Sequence, residues 1–252
     1  MGGFYPSLML FSIISFLGTL EFYKLSKKDS SPYKYFGATL SSTLVLFSGY
    51  YIANPNAYWV FSIWMFFGVL LVIQLLSAES KTSIADISIT ISGAFYLSIP
   101  FVSLLVLGIY PSLSATNFNW QIPLSIFILT WVNDTGAYLS GRNFGKHKLF
   151  VRISPNKTWE GSVGGLLFSI AGSLVLHYFW GIFSTPVWVG TAVLISVFAN
   201  LGDLMESAFK RNAGVKDSGN IMPGHGGILD RFDAILLTAP VVLAYLLSYT
   251  NL

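Results

Sequence analysis

The sequence contains no cysteine. That excludes disulfides, zinc–thiolate sites and thiol catalysis, and it carries no information about compartment. Charge is equally scarce. Asp, Glu, Lys and Arg make up 10% of 252 residues, while 54% are hydrophobic and 16% aromatic. Soluble domains carry about 25% charged residues. A soluble fold this poor in charge could not cover its own surface, so a water-soluble enzyme, a nucleic-acid binder and a disordered chain are excluded. The mean hydropathy is +0.65, and the chain reads as a protein of the lipid bilayer. The formal net charge of +3 matters less than where the charges fall.

A spanning helix needs roughly 20 mostly apolar residues, and that window gives about eight candidates. They lie near Tyr5–Tyr23, Phe36–Ala53, Ala57–Ser77, Ile84–Ile109, Ile122–Ser140, Gly161–Ile182, Pro186–Phe209 and Gly227–Tyr249. The expected fold is therefore an all-α, polytopic membrane bundle. Residues 1–120 would form an N-terminal scaffold and residues 121–252 a catalytic region. The two longest polar loops in the latter are 141–160 and 210–226. The first segment lacks a basic leader and ends in Glu21-Phe22-Tyr23-Lys24 rather than a small-residue cleavage site, so it reads as a retained span.

Every Lys and Arg falls in or beside an odd-numbered connection. Lys24, Lys27, Lys28 and Lys34 belong to the first, and Lys81 to the third. Arg142, Lys146, Lys148, Arg152 and Lys157 belong to the fifth. Lys210, Arg211 and Lys216 belong to the seventh, with Arg231 at its far edge. The even connections have none. The positive-inside rule then places the odd connections in the cytoplasm and both termini outside.

The acids of the second half are the informative ones. Asp134 falls inside the fifth segment, Asp203 and Glu206 inside the seventh, and Asp230 and Asp233 at the start of the eighth. An acid at membrane depth costs about 2.5–3.5 kcal/mol on insertion scales, so it is retained where it has partners or a watery cavity. Helical spacing groups these residues. Asn200, Asp203, Ser207 and Lys210 share one stripe, with Glu206 beside it. Asp230 and Asp233 share a face, and Asp134, Tyr138, Gly141 and Arg142 line up on another helix. Three helices thus present polar stripes near their basic ends.

Oxygen ligands without Cys suit Mg²⁺, and Mg²⁺ beside Lys and Arg is the usual equipment for polyphosphate. Gly224-His225-Gly226-Gly227 adds a glycine turn before a helix, where backbone can approach an anion. The spacing is not that of a Walker loop. In Ser154-Pro155-Asn156-Lys157, Ser154 reads as an N-cap with Pro155 at the first helical position. Lys157 would then stand in the first turn, where a bound phosphate would relieve its conflict with the helix dipole. Gly161, Gly165, Ser169 and Ser173 form a small-residue face for close helix packing. His177 reads as a packing residue and His147 as solvated.

The segment from Ser207 to Asp233 reads S-A-F-K-R-N-A-G-V-K-D-S-G-N-I-M-P-G-H-G-G-I-L-D-R-F-D. It resembles the signature of the phosphatidate cytidylyltransferase (CDP-diacylglycerol synthase) family. Asn133–Tyr138, Gly141-Arg142, Phe144–Lys146, Ile153–Gly161 and Asn200–Glu206 are similar to that family as well. The resemblance covers roughly residues 120–240; the first hundred match in hydropathy alone. Such proteins usually begin with one more basic-flanked helix, and the resemblance implies that the given sequence starts after it, as a truncated start or as a variant. The residues that carry the resemblance all lie in the catalytic half.

The resemblance implies transfer of a cytidylyl group from CTP to phosphatidic acid, giving CDP-diacylglycerol and pyrophosphate, with Mg²⁺ alone or with a second metal or a monovalent cation. The metal ligands it implies are Asp203, Asp217, Asp230 and Asp233, with Asp134 close behind. Lys157, Lys210, Arg211, Lys216 and Arg231 would neutralise phosphates. Gly224, Gly226 and Gly227 would shape the triphosphate cradle, and His225 would donate to it. The implied partners are CTP, phosphatidic acid, membrane lipids and a second copy of the chain, with no nucleic acid. The implied location is the bacterial inner membrane, with the site facing the cytoplasm. A CTP-dependent polyprenol or phytol kinase and an ion-coupled transporter are the alternatives. No internal repeat favours the transporter.

Overall fold

The structure is a computed structural model and describes residues 3–26, 33–54, 56–57, 65, 69, 84–110, 115–219 and 226–249. Seven α-helices stand among the described residues: α1 Phe4–Leu25, α2 Tyr33–Ala53, α3 Ile84–Ile109, α4 Gln121–Phe144, α5 Trp159–Trp180, α6 Thr185–Ala213 and α7 Leu229–Tyr249. A short hairpin pairs β1 Lys148–Phe150 with β2 Ser154–Thr158, antiparallel. The expected third span, Ala57–Ser77, lies almost entirely outside the described residues, as do Gly224 and His225.

The protein is an all-α, polytopic integral membrane protein. Six of these helices are long and apolar enough to cross a bilayer. Helix α4 has the length, but Asn133, Asp134, Ser140 and Arg142 lower its hydropathy. Large apolar side chains such as Met9, Ile13, Trp131 and Leu167 are exposed along the helices. Contiguous apolar faces of this kind are unfavourable in water and suit acyl chains.

The chain divides into two compact units, residues 1–118 with 217–230, and residues 119–216 with 231–252. In the first, α1 packs against α2 and α3. The Ser15 and Ser41 hydroxyls share a hydrogen bond of 2.5 Å between α1 and α2. The Tyr23 hydroxyl donates to the Thr90 carbonyl of α3 at 2.6 Å. In the apolar bilayer such buried polar groups are kept because each has a partner. Phe11 of α1 stacks on Phe101 of α3, ring centroids 5.6 Å apart.

In the second unit α5 lies between α4 and α6. Gly161, Gly165, Ser169 and Ser173 are all buried, as the small-residue stripe predicts. A Cβ on Gly165 would come within 2.8 Å of the Asn133 carbonyl on α4. Ser169 turns the other way and donates to the Ala192 carbonyl of α6 at 3.3 Å. Small residues therefore let three helices approach closely. Helix α7 joins them through Phe232, edge-on to Phe127 of α4 at 6.1 Å.

One local expectation changes. Ser154 does not start a helix; it opens β2, and α5 begins at Trp159. The cap is Thr158, whose Oγ1 accepts from the Gly161 amide at 3.1 Å. The hairpin gives residues 154–158 backbone partners that the cap-and-proline reading lacks, and Thr158 offers its own hydroxyl to the helix. Lys157 consequently lies on a strand ahead of the helix, and Glu160 occupies the first turn, where the dipole favours an acid.

Candidate active site

The second unit contains a polar cavity of about 550 Å³. Its walls are the basic end of α4 (Asp134, Tyr138, Arg142), strand β2 (Asn156, Lys157), the first turn of α5, and Asn200 and Asp203 of α6. The α4 stripe expected from helical spacing faces this space. Glycines make it possible. A Cβ on Gly161 would lie 2.9 Å from the Ala137 carbonyl, so only glycine lets α5 start this close to α4.

Lys157 reaches across the cavity. Its Nζ lies 2.6 Å from Asp203 Oδ2 and donates to the Asn200 carbonyl at 3.4 Å. Asp203 Oδ1 accepts from the Ser207 hydroxyl one turn on, at 3.1 Å. Glu206, fully buried, is paired with Lys210 at 2.9 Å. The carboxylates of Asp203, Glu206 and Asp233 offer oxygens that all lie within 4.8 Å of one another. Three acids thus face two lysines, leaving an excess of negative charge that a cation would offset. The donor set is hard oxygen throughout, the chemistry that suits Mg²⁺.

The remaining expected residues are placed as follows. Asp134 is exposed to the cavity, and its Oδ1 accepts from the Asn133 side-chain Nδ2 at 3.2 Å. Arg211, Lys216 and Arg231 are exposed. The Arg211 guanidinium donates to the Val215 carbonyl at 3.4 Å, at the end of α6. Asp217 and Asp230 belong to the first unit. Asp217 is exposed, whereas Asp230 Oδ2 accepts from the Ser218 amide and hydroxyl, each at 2.9 Å, and from the Gly227 amide at 2.8 Å. Gly226 has φ +82°, a left-handed conformation that favours glycine. Gly227 is buried. His147 donates from Nδ1 to Glu160 at 2.6 Å while remaining exposed, and His177 bonds the Phe183 carbonyl at 2.9 Å.

One acid emerges that spacing placed only beside the stripe: Glu206, whose signal was its i,i+4 relation to Lys210. In the first unit the buried Glu21 accepts from Ser218 and Leu229, a pairing that no local spacing announces.

The second unit thus gathers acids, lysines and a polar cavity at the ends of apolar helices. The chain belongs to the Cytidylyltransferase family, which it matches over residues 1–249. It is similar to the phosphatidate cytidylyltransferase of Staphylococcus aureus (strain COL), 53% identical over 121 residues, which are 47% of this chain and 46% of that protein. It is also similar to the proteins of the same name from Staphylococcus saprophyticus, at 52%, and Staphylococcus haemolyticus, at 50%, over the same shares. The match spans about half the length of these curated relatives.

Proposed function

We propose that this protein transfers the cytidylyl group of CTP to phosphatidic acid, giving CDP-diacylglycerol and pyrophosphate, at the cytoplasmic face of a bacterial inner membrane. The observation that carries the reading is the Lys157–Asp203 pair beside Glu206, Lys210 and Asp233, in a polar cavity at the end of apolar helices. Family membership and the names of the relatives support it, and they favour neither the lipid kinase nor the transporter.

In this reaction a phosphate oxygen of phosphatidic acid attacks the α-phosphorus of CTP. The bond from that phosphorus to the bridging oxygen breaks, and pyrophosphate leaves with the electron pair. No protein nucleophile is needed, so the protein's task is positioning and charge neutralisation. Lys157 and Arg142 present positive charge to the phosphates in the cavity. Ser207 holds the Asp203 carboxylate in one orientation, and Lys210 does so for Glu206. Asp203, Glu206 and Asp233 are the residues that would hold Mg²⁺. The ion, when bound, supplies Lewis-acid stabilisation of the charge that develops on phosphate oxygens. The helices below leave the lipid's acyl chains in the bilayer.

The test is a purified-protein assay with labelled CTP and phosphatidic acid, with and without EDTA. Label from the α-phosphate recovered in a lipid product, and lost with EDTA, is the expected result. Label transferred from the γ-phosphate instead would identify a kinase.

A further inference from the structure

Between α4 and α5 the chain leaves the helices and makes a surface that the chemistry above does not use. This excursion is fixed at its base. The Trp159 amide donates to the His147 carbonyl at 3.0 Å, and the His147 amide and Nδ1 bond to Glu160 Oε1 at 3.2 and 2.6 Å. From that base β1 and β2 run out to a turn at 151–153, which the Ile153 amide closes on the Phe150 carbonyl at 3.2 Å.

Two kinds of side chain cover the hairpin. Phe144, Phe150, Val151 and Trp159 are each half or more exposed, Val151 at the tip to 65%. Lys146, Lys148 and Arg152 stand exposed among them, and no acid pairs with these three among the described residues. Glu160, the single acid between 142 and 160, is engaged by His147 at the base, while Lys157 is engaged by Asp203. Single exposed apolar side chains are ordinary on a protein surface. A group of them interleaved with three like charges is not, because in water the apolar groups gain nothing and the charges repel.

The position of the hairpin selects its partner. Helix α5 is apolar enough to cross a bilayer from Trp159 onward, so the hairpin stands at the level where a span begins. Aromatic side chains favour that layer, and Lys and Arg beside a span are drawn to anionic lipid. We propose that the β1–β2 hairpin docks on the surface of its own bilayer, with Phe150 and Val151 entering the headgroup layer and Lys146, Lys148 and Arg152 binding the phosphates of anionic phospholipids. A protein partner would need a counter-surface both acidic and apolar; the bilayer supplies both at this level. Asn156 and Lys157 of the same hairpin line the polar cavity, so anionic lipid gathered here lies beside it. The docking itself does not depend on the cytidylyl-transfer reading.

The native chain has no cysteine, so Val151→Cys carries a single environment-sensitive fluorophore at the tip. The full chain is placed in nanodiscs of neutral phosphatidylcholine, or of phosphatidylcholine with phosphatidylglycerol, with and without a nitroxide-bearing lipid as quencher. In the anionic discs the emission should shift to the blue, and quenching should be at least about threefold stronger than in the neutral discs. High salt should remove most of that difference, and so should replacing Lys146, Lys148 and Arg152 together by Gln. The lipid and salt comparisons use one and the same protein, so they decide the matter even where the triple variant folds poorly. An unquenched probe in both kinds of disc would overturn the docking. Equal quenching in both would overturn the recognition of anionic headgroups, as would a triple variant, folded by size-exclusion chromatography, that is quenched as strongly as its parent. A probe free in the anionic discs yet shielded in native membranes would overturn the proposal in favour of a protein partner.

Discussion

Lys157 Nζ and Asp203 Oδ2 stand 2.6 Å apart, joining a strand before α5 to the middle of the polar stripe on α6. The lysine side chain is 21% exposed and the aspartate 39%, so the pair is wet enough that its contribution to stability is under about 1 kcal/mol. Its value lies in holding an ammonium group at the cavity wall. Lys157→Ala should therefore fold with a near-normal Tm and lose about 2–4 kcal/mol in kcat/KM where the bound phosphate shuts water out of its contact with the ammonium group. Steady-state kinetics beside a thermal melt check this; a rate loss that tracks unfolding would assign the pair to structure.

Asp203, Glu206 and Asp233 repel one another unless a cation joins them. Adding Mg²⁺ to metal-stripped protein should raise Tm, by linkage of binding to the folded state. Asp233→Asn should abolish that rise and the transfer activity together. It should also melt no lower than wild type in EDTA, because one like charge is gone. A magnesium-dependent rise of normal size in Asp233→Asn would remove this acid from the ligand set.

Gly165 approaches the Asn133 carbonyl so closely that a Cβ would lie 2.8 Å away. Gly165→Leu forces α4 and α5 apart and should destabilise the bundle by about 1–3 kcal/mol, as overpacking does. Lower yield of folded protein by size-exclusion chromatography is the readout. Gly181→Ala at the far end of α5 meets nothing within 4 Å, so what it loses is the left-handed cap, φ +58°, and the smaller cost makes it a useful comparison.

Orientation can be read by labelling, since the native chain has no cysteine. Asn143→Cys, on the exposed basic end of α4, should be protected from an impermeant thiol reagent in intact cells and react after permeabilisation. Asn56→Cys should react from outside. The reverse pattern would put the cavity on the face that CTP does not reach.

Much of the site was legible because helical periodicity is local. Asn200, Asp203, Ser207 and Lys210 fall on one stripe wherever that helix packs, and so do Asp134, Tyr138 and Arg142. The small-residue stripe of α5 was legible for the same reason. The Ser154 cap failed for a local reason too: cap-and-proline spacing competes with a hairpin, and the pairing of β1 with β2 won. Glu206 was seen only as a flank of its stripe. Its place beside Asp203 and Asp233 depends on how α7 packs against α6, where a Cβ on Gly202 would come within 2.5 Å of the Asp233 carbonyl.

By itself the sequence determined the membrane class, the run of apolar helices, the alternation of basic and uncharged connections, and which residues share a face. These follow from composition and from 3.6 residues per turn, and neither needs long-range contacts. Only the tertiary structure decided which acids meet, that Lys157 pairs with Asp203, and that Glu21 is bonded to Ser218 across 197 positions of sequence. Such pairings depend on close approach of distant helices, and the glycines that permit it declare their purpose only when the neighbouring side chain is in place.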